Sequence, residues 1–230
     1  MTSILQVKDV SKVYQSGPRK LKVLEDIEFT IQQGETVAIV GPSGSGKTTL
    51  LGLCAGLDQP SNGLIVLDDQ PLNDLTEDER ALVRNRKIGF IFQDFQLIPT
   101  LTALENISVP LELRGERSVQ ETAHQLLERV GLSERALHYP AQLSGGEQQR
   151  ICIARAFSTT PAILFADEPT GNLDEETGQQ IERLIFELNR EKGTTLVIVT
   201  HDMELAKRTN RIIRLKGGHI VSDEEVRSHA

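Results

Sequence analysis

The sequence predicts an α/β fold with a mainly parallel sheet. Two observations carry that prediction: short apolar runs recur along the chain, and helical periodicity fills the gaps between them. Residues 4–10 partly alternate and residues 23–31 form a second β-rich run, so the first thirty-odd residues read as strands. Between them Gln15, Ser16, Gly17, Pro18, Arg19 and Lys20 supply turn chemistry. Residues 36–40, Thr-Val-Ala-Ile-Val, are almost continuously apolar, as a strand buried on both faces requires. Further short runs fall at 64–67, 88–92, 162–166, 196–199 and 211–215. Ile181, Leu184, Ile185 and Leu188 follow the i, i+3, i+4, i+7 pattern and place one apolar stripe on a helix after Asp174. From about 93 to 160 the alternation stops; helical patterns at 119–130 and 147–157 occupy this stretch without a convincing strand. It reads as a helical insert in one domain spanning 1–230, whose core is 1–92 and 161–230.

Composition narrows the function classes. The chain has 230 residues, 38% hydrophobic and 25% charged, enough to bury a core and unlike a disordered chain. No stretch approaches the ~18 consecutive apolar residues of a membrane span. Lys8 and Asp9 interrupt the apolar block that a signal peptide would carry. A net charge of −8 argues against a general nucleic-acid binder, so no nucleic-acid partner is expected. Cys54 and Cys152 lack the spacing of a disulfide framework or a metal site, and read as small buried hydrophobes in a reducing, cytosolic compartment. The basic run Arg80, Arg84, Arg86 and Lys87 reads as a solvated helix face.

Directly after the buried run 36–40 come Gly41, Pro42, Ser43, Gly44, Ser45, Gly46, Lys47, Thr48 and Thr49, opening an apolar helix. The pattern G-x-x-x-x-G-K-[ST] needs its glycines so that backbone N–H groups can wrap a phosphate. Lys47 supplies a point charge for β- and γ-phosphates, the Thr48 hydroxyl can ligate Mg²⁺, and the helix dipole adds to both. A second apolar run, 163–166, ends in Asp167 and Glu168, where ligands bind in open α/β sheets. Asp167 is then a Mg²⁺ holder and Glu168 a candidate general base. No N-K-x-D guanine-reading motif accompanies them, which disfavours a GTPase. Leu143, Ser144, Gly145, Gly146 and Glu147, followed by Gln148, Gln149 and Arg150, open the helix 147–157 and form a second anion site of exposed N–H groups at a helix amino terminus.

With these strings the chain resembles the ATP-binding-cassette family over essentially its whole length. Residues 41–48 look like its Walker A motif, 163–167 its Walker B and 143–147 its signature. Gln93 matches the Q-loop glutamine that contacts the metal and couples to a transmembrane partner. Gly171, Asn172, Leu173 and Asp174 match the D-loop, His201 the switch histidine, and Tyr14 the ring that stacks on adenine. The resemblance implies a P-loop NTPase core with an amino-terminal antiparallel β subdomain. It further implies ATP with Mg²⁺, and a homodimer that sandwiches two ATP molecules between one P-loop and the other chain's Ser144, Gly145, Gly146 and Glu147. Residues 95–107, together with 165–174 and 199–202, resemble the LolD/MacB branch, and 110–115, P-x-x-L-R-G, narrow the likeness to one member of it. The implied partner is an integral-membrane permease of the LolC/E, MacB or YbbP type, driven from the cytoplasmic face by mechanotransmission. A signalling scaffold of the FtsE kind and a soluble cassette acting on nucleic acid or ribosomes are the alternatives.

Overall fold

A computed structural model describes residues 2–17 and 19–226, which divide into two compact units. One combines the chain up to Arg84 with the segment from Thr195 onward, and the other runs from Asn85 to Thr194.

In the first unit a long antiparallel hairpin, β1 (Ser3–Ser16) and β2 (Arg19–Gln32), pairs through β1 with β4 (Asn62–Leu67), which pairs in turn with β5 (Gln70–Pro71). Both hairpin strands extend well past the alternating sequence. Register shifts around Val7–Lys12 break their side-chain alternation, so the pattern fades in the sequence before the pairing ends. Gly17 lies in the connecting turn, while Pro18 falls outside the described residues. The second sheet of this unit places β3 (Thr36–Val40) between β8 (Thr195–Thr200) and β9 (Arg211–Lys216), parallel to both; β10 (His219–Glu225) adds antiparallel to β9. All six residues of β8 are buried and four of the five in β3, which explains their continuous apolar reading. Helix α1 (Lys47–Cys54) packs on β4 and β8, and α7 (Met203–Ala206) on β3 and β8, where Ala206 joins Ala38 and Val40 in the core.

The second unit pairs β6 (Ile88–Ile91) parallel to β7 (Ile163–Asp167). Between them run α3 (Ala103–Leu113), α4 (Val119–Arg129) and α5 (Gly145–Phe157), and α6 (Glu175–Lys192) follows β7. Helix α3 packs on α4 and α5, and α5 on α6 and β6. Thr102 starts α3 with a reciprocal capping box to Glu105, and Pro110 is accommodated inside the helix. Asn106, fully buried on α3, accepts from the Ile98 N–H at 2.8 Å and donates to the carbonyls of Ile98, Leu101 and Thr102, folding the preceding loop onto the helix.

The basic run is not a uniformly solvated face. In α2 (Glu77–Lys87), Arg80 is buried and donates to the Leu75 carbonyl at 3.0 Å; Arg84 is half-buried and donates to the Gly56 carbonyl at 2.6 Å. Both guanidiniums pair with Glu77, at 2.6 and 2.7 Å, so they serve as structural donors to loop carbonyls, and only Arg86 and Lys87 are exposed. Cys54 and Cys152 are buried free thiols, and burial pushes the Cys54 thiol up to about 12.

Gly89 marks the tightest approach of β6 to α5. A Cβ there would lie 2.4 Å from the Ala156 carbonyl oxygen and 2.8 Å from a Leu164 methyl. Gly89→Ala is expected to destabilise the protein by about 1–3 kcal/mol through overpacking against backbone, read as a lower urea midpoint at unchanged m-value.

Candidate functional site

In the first unit, the parallel register of β3 and β8 pairs Val40 with Thr200, so the loop after β3 and His201 after β8 leave adjacent strands at their carboxyl ends. The loop is shaped by close approach and by handedness. A Cβ on Gly41 would strike the Leu215 carbonyl at 2.1 Å, and Gly46 takes φ 99 where a Cβ would meet Leu24 at 2.7 Å. Only glycine fits either position. Lys47, almost buried, folds back to donate to the carbonyls of Gly41 at 2.9 Å and Pro42 at 3.1 Å, which leaves one of an ammonium's three donors for a ligand oxygen. The Ser45 hydroxyl is buried with no hydrogen-bond partner. An orphaned hydroxyl beside a retained ammonium, at the positive end of an eight-residue helix, fits a phosphate-bearing ligand. Pro42, Ser43, Gly44 and Thr48 are exposed on this loop.

Tyr14, on β1, is 40% exposed. Its hydroxyl donates to Asp58 at 2.9 Å, and the Lys12 ammonium lies 4.7 Å from the ring centroid. Burial and the Asp58 hydrogen bond push the phenol above its ordinary value, and Thr49 at the start of α1 acts weakly in the opposite direction. Burial also pushes Asp58 upward, but the Lys12 and Tyr14 hydrogen bonds outweigh it and hold the carboxyl below its ordinary value.

The second unit repeats the strand-end logic. Ile91 pairs with Ala166, so Gln93 and Asp167 leave the same end of β6 and β7. Asp167 is buried and Glu168 half-buried, with Glu168 at φ 44 in the left-handed region. Gln93 is exposed and clasped by Asn172, whose amide donates to the Gln93 carbonyl at 3.0 Å and to the Asp94 carboxylate at 3.1 Å. The next turn is strained: Phe95 and Gln96 adopt φ 60 and φ 51. The Arg155 guanidinium on α5 spans both their carbonyls at 2.9 and 2.6 Å and holds that conformation. Asn172 and Arg155 thus fix the loop that carries Gln93, contacts that nothing in their sequence positions signals. The Asp174 carboxylate caps α6, accepting from the Thr177 N–H at 2.9 Å and hydroxyl at 2.7 Å, and those bonds lower its pKa.

Helix α5 starts two residues earlier than its periodicity predicts, at Gly145, because Ser144 caps it. The cap is a closed box in which the Ser144 hydroxyl accepts from the Glu147 N–H, while the Glu147 carboxylate accepts from the Ser144 N–H at 2.8 Å and hydroxyl at 2.9 Å. Arg135 donates to the other carboxylate oxygen at 2.8 Å. Here the structure qualifies the sequence reading. The Ser144 donors expected to be open to an external anion are engaged by an internal carboxylate, and Gly145 and Gly146 supply the remaining amides of the first turn. Gly146 packs against Thr177, whose methyl would lie 2.6 Å from an added Cβ.

The sequence profile of the ABC transporter family matches residues 24–171, and the chain belongs to that family. Among its relatives is the ABC transporter ATP-binding protein YbbA of Escherichia coli (strain K12), 52% identical over 220 residues that cover 95% of this chain and 96% of that one. The lipoprotein-releasing system ATP-binding protein LolD of Idiomarina loihiensis is 48% identical over 218 residues, covering 94% and 96%. Among solved structures, the dimeric post-hydrolysis state of the ATP-binding cassette MJ0796 bound to ADP and Pi superposes with a TM-score of 0.92 at 43% identity, covering 98% of this chain and all of that one. These likenesses bear out the family and branch expected from residues 95–107 and 110–115, and the fold class.

The backbone and hydroxyl bonds of Ser144, with the Arg135 pair, hold the Glu147 carboxyl at about 2, below its ordinary 4.5. A depressed carboxyl contributes stability that is complete above pH 4.5 and lost as pH falls toward 2. Glu147→Gln keeps an acceptor for the cap but removes the titration. The variant's loss of stability between pH 4.5 and 2 should therefore be smaller than the parent's, measured by urea unfolding across that range.

Proposed function

We propose that the chain hydrolyses ATP to ADP and phosphate as the ATPase subunit of an ABC transporter complex, with its machinery distributed as follows. The reading is carried by the loop 41–48, where glycine-only geometry, a folded-back ammonium and an orphaned hydroxyl make a phosphate cradle. Lys47 and the loop amides hold the β- and γ-phosphates and neutralise charge that builds on them as the terminal phosphoryl group leaves. Tyr14, anchored by Asp58 and Lys12, offers its ring to adenine. By the family resemblance Thr48, Asp167 and Gln93 would hold Mg²⁺, which would supply charge neutralisation on the phosphates. Glu168 accepts the proton of the attacking water, which it can do while ionised. His201 and Gln93 sense the γ-phosphate, and Asn172 and Arg155 keep the Gln93 loop in its strained form.

ATP binding draws two copies together, with Ser144, Gly145 and Gly146 of one chain completing the phosphate site of the other. Glu147 then sets how the Ser144 donors are presented, and Asp174, the last residue of the D-loop, orders the start of α6. No helix among the described residues is long and apolar enough to cross a membrane. By its likeness to the lipoprotein-releasing ATP-binding proteins, the chain works with a membrane partner. That partner is a permease of the LolC/E, MacB or YbbP type, engaged at the cytoplasmic face and driven by closure of the ATPase dimer. Its cargo is of the lipoprotein, lipid or macrolide kind.

Two variants test these roles. Lys47→Ala should lose ATP binding by at least about tenfold in a fluorescent-nucleotide titration, since a charge-assisted contact to phosphate is worth about 1.5–3 kcal/mol. Glu168→Gln should bind ATP normally, run as a nucleotide-bound dimer in size-exclusion chromatography and lose turnover by about 10²–10⁴-fold. Undiminished hydrolysis by Glu168→Gln would falsify the base assignment. Copurification with a permease rather than with ribosomes or DNA tests the partner.

A further inference from the structure

Glu168 is held in an unfavourable conformation, and one of the groups holding its turn is on the signature helix. The residue sits at φ 44 and the turn after it closes through the Gly171 N–H, which donates to the Glu168 carbonyl at 3.0 Å. On the adjoining peptide the Pro169 carbonyl accepts from the side-chain amide of Gln149 at 2.5 Å. Gln149 is fully buried on α5, three residues beyond Gly146, and its own amide oxygen has no partner. A buried amide with half of its capacity unmet costs stability that an apolar side chain of the same length would not, so packing alone does not account for it. The contrast with Asn106, buried as deeply and bonded through both ends of its amide, is direct.

We infer that Gln149 is a positioning residue for hydrolysis: its amide fixes the Pro169 carbonyl and thereby the strained turn that aims the Glu168 carboxylate. This rests on the reading of Glu168 as general base. It also gives α5 a mechanical role. The helix whose amino terminus carries Ser144, Gly145 and Gly146 is joined through the Gln149 amide to the turn that carries the base of the same chain. A shift of that amino terminus therefore reaches the carboxylate through Gln149. Misplacement of a reacting group by about 1 Å costs on the order of 10²-fold in rate.

The test is Gln149→Met in the full-length chain. Methionine keeps the length and volume, and exchanges one unpaired buried oxygen on Gln149 for another on Pro169, so the thermal midpoint should stay close to the parent's. Turnover is expected to fall about 10–100-fold, with the KM for ATP within about twofold, because the phosphate cradle is untouched. Gln149→Asn holds the amide one methylene short of Pro169 and gives the same reading where the methionine variant does not fold. In a Glu168→Gln background, Gln149→Met should lower the residual turnover no further, since the group it aims is already disabled. Turnover of the Met or Asn variant within about twofold of the parent overturns the inference, as does a raised KM at unchanged kcat or an equal loss in both backgrounds. Full activity of Glu168→Gln by itself marks failure of the base reading instead, separately from the Gln149 result.

Discussion

A parallel strand can deliver chemistry only where it ends, and in this chain that constraint decides where the phosphate loop, Gln93, Asp167 and His201 fall. Strands buried on both faces have no side chains to offer a ligand, so polar function collects in the first residues beyond their carboxyl ends. The register Val40↔Thr200 sets the phosphate loop and His201 side by side in one unit, and Ile91↔Ala166 does the same for Gln93 and Asp167 in the other. A slip of one residue in either pair would turn core side chains outward and displace both functional positions together.

Tension and restraint are paired at these strand ends. Glu168, Phe95 and Gln96 all occupy the left-handed region without being glycine, at a cost of about 1–3 kcal/mol each. Each strained stretch has a side chain reaching in from α5: Arg155 takes the Phe95 and Gln96 carbonyls, and Gln149 takes the Pro169 carbonyl. Asn172 adds a clasp from the loop beyond Glu168. One helix thus restrains two distorted backbone segments of its unit while its own amino terminus is closed by Ser144 and Glu147. Disturbing that helix disturbs both loops, whereas a change in either loop alone leaves the other restraint in place.

Much of this was legible from residue order, for identifiable reasons. Strands β3, β7 and β8 are almost continuously apolar because they are covered on both sides, and the loop 41–48 announces itself because glycine is sterically obligatory at Gly41 and Gly46. The edge strand β10 is not legible: Asp223, Glu224 and Glu225 are exposed, Ser222 is half-buried, and the four carry no apolar pattern. Helix α3 leaves only a weak trace in the sequence although Thr102 and Glu105 have capping-box spacing, since Pro110 and the buried polar Asn106 interrupt its apolar stripe. Arg80 and Arg84 looked like a solvated face because a sequence does not show that loop carbonyls at Leu75 and Gly56 lie within their reach. The contacts of Arg155 and Asn172 span about 60 to 80 residues of chain and leave no local trace.

The two thiols carry a practical consequence. Cys54 and Cys152 both lie in the core, and the loss of hydration that burial imposes keeps each of them protonated at neutral pH. Alkylating reagents act on accessible thiolates, so the folded chain is chemically silent toward them. A single cysteine placed on the surface would be the one thiol that reacts, and could carry a dye or spin label with both native cysteines left in place.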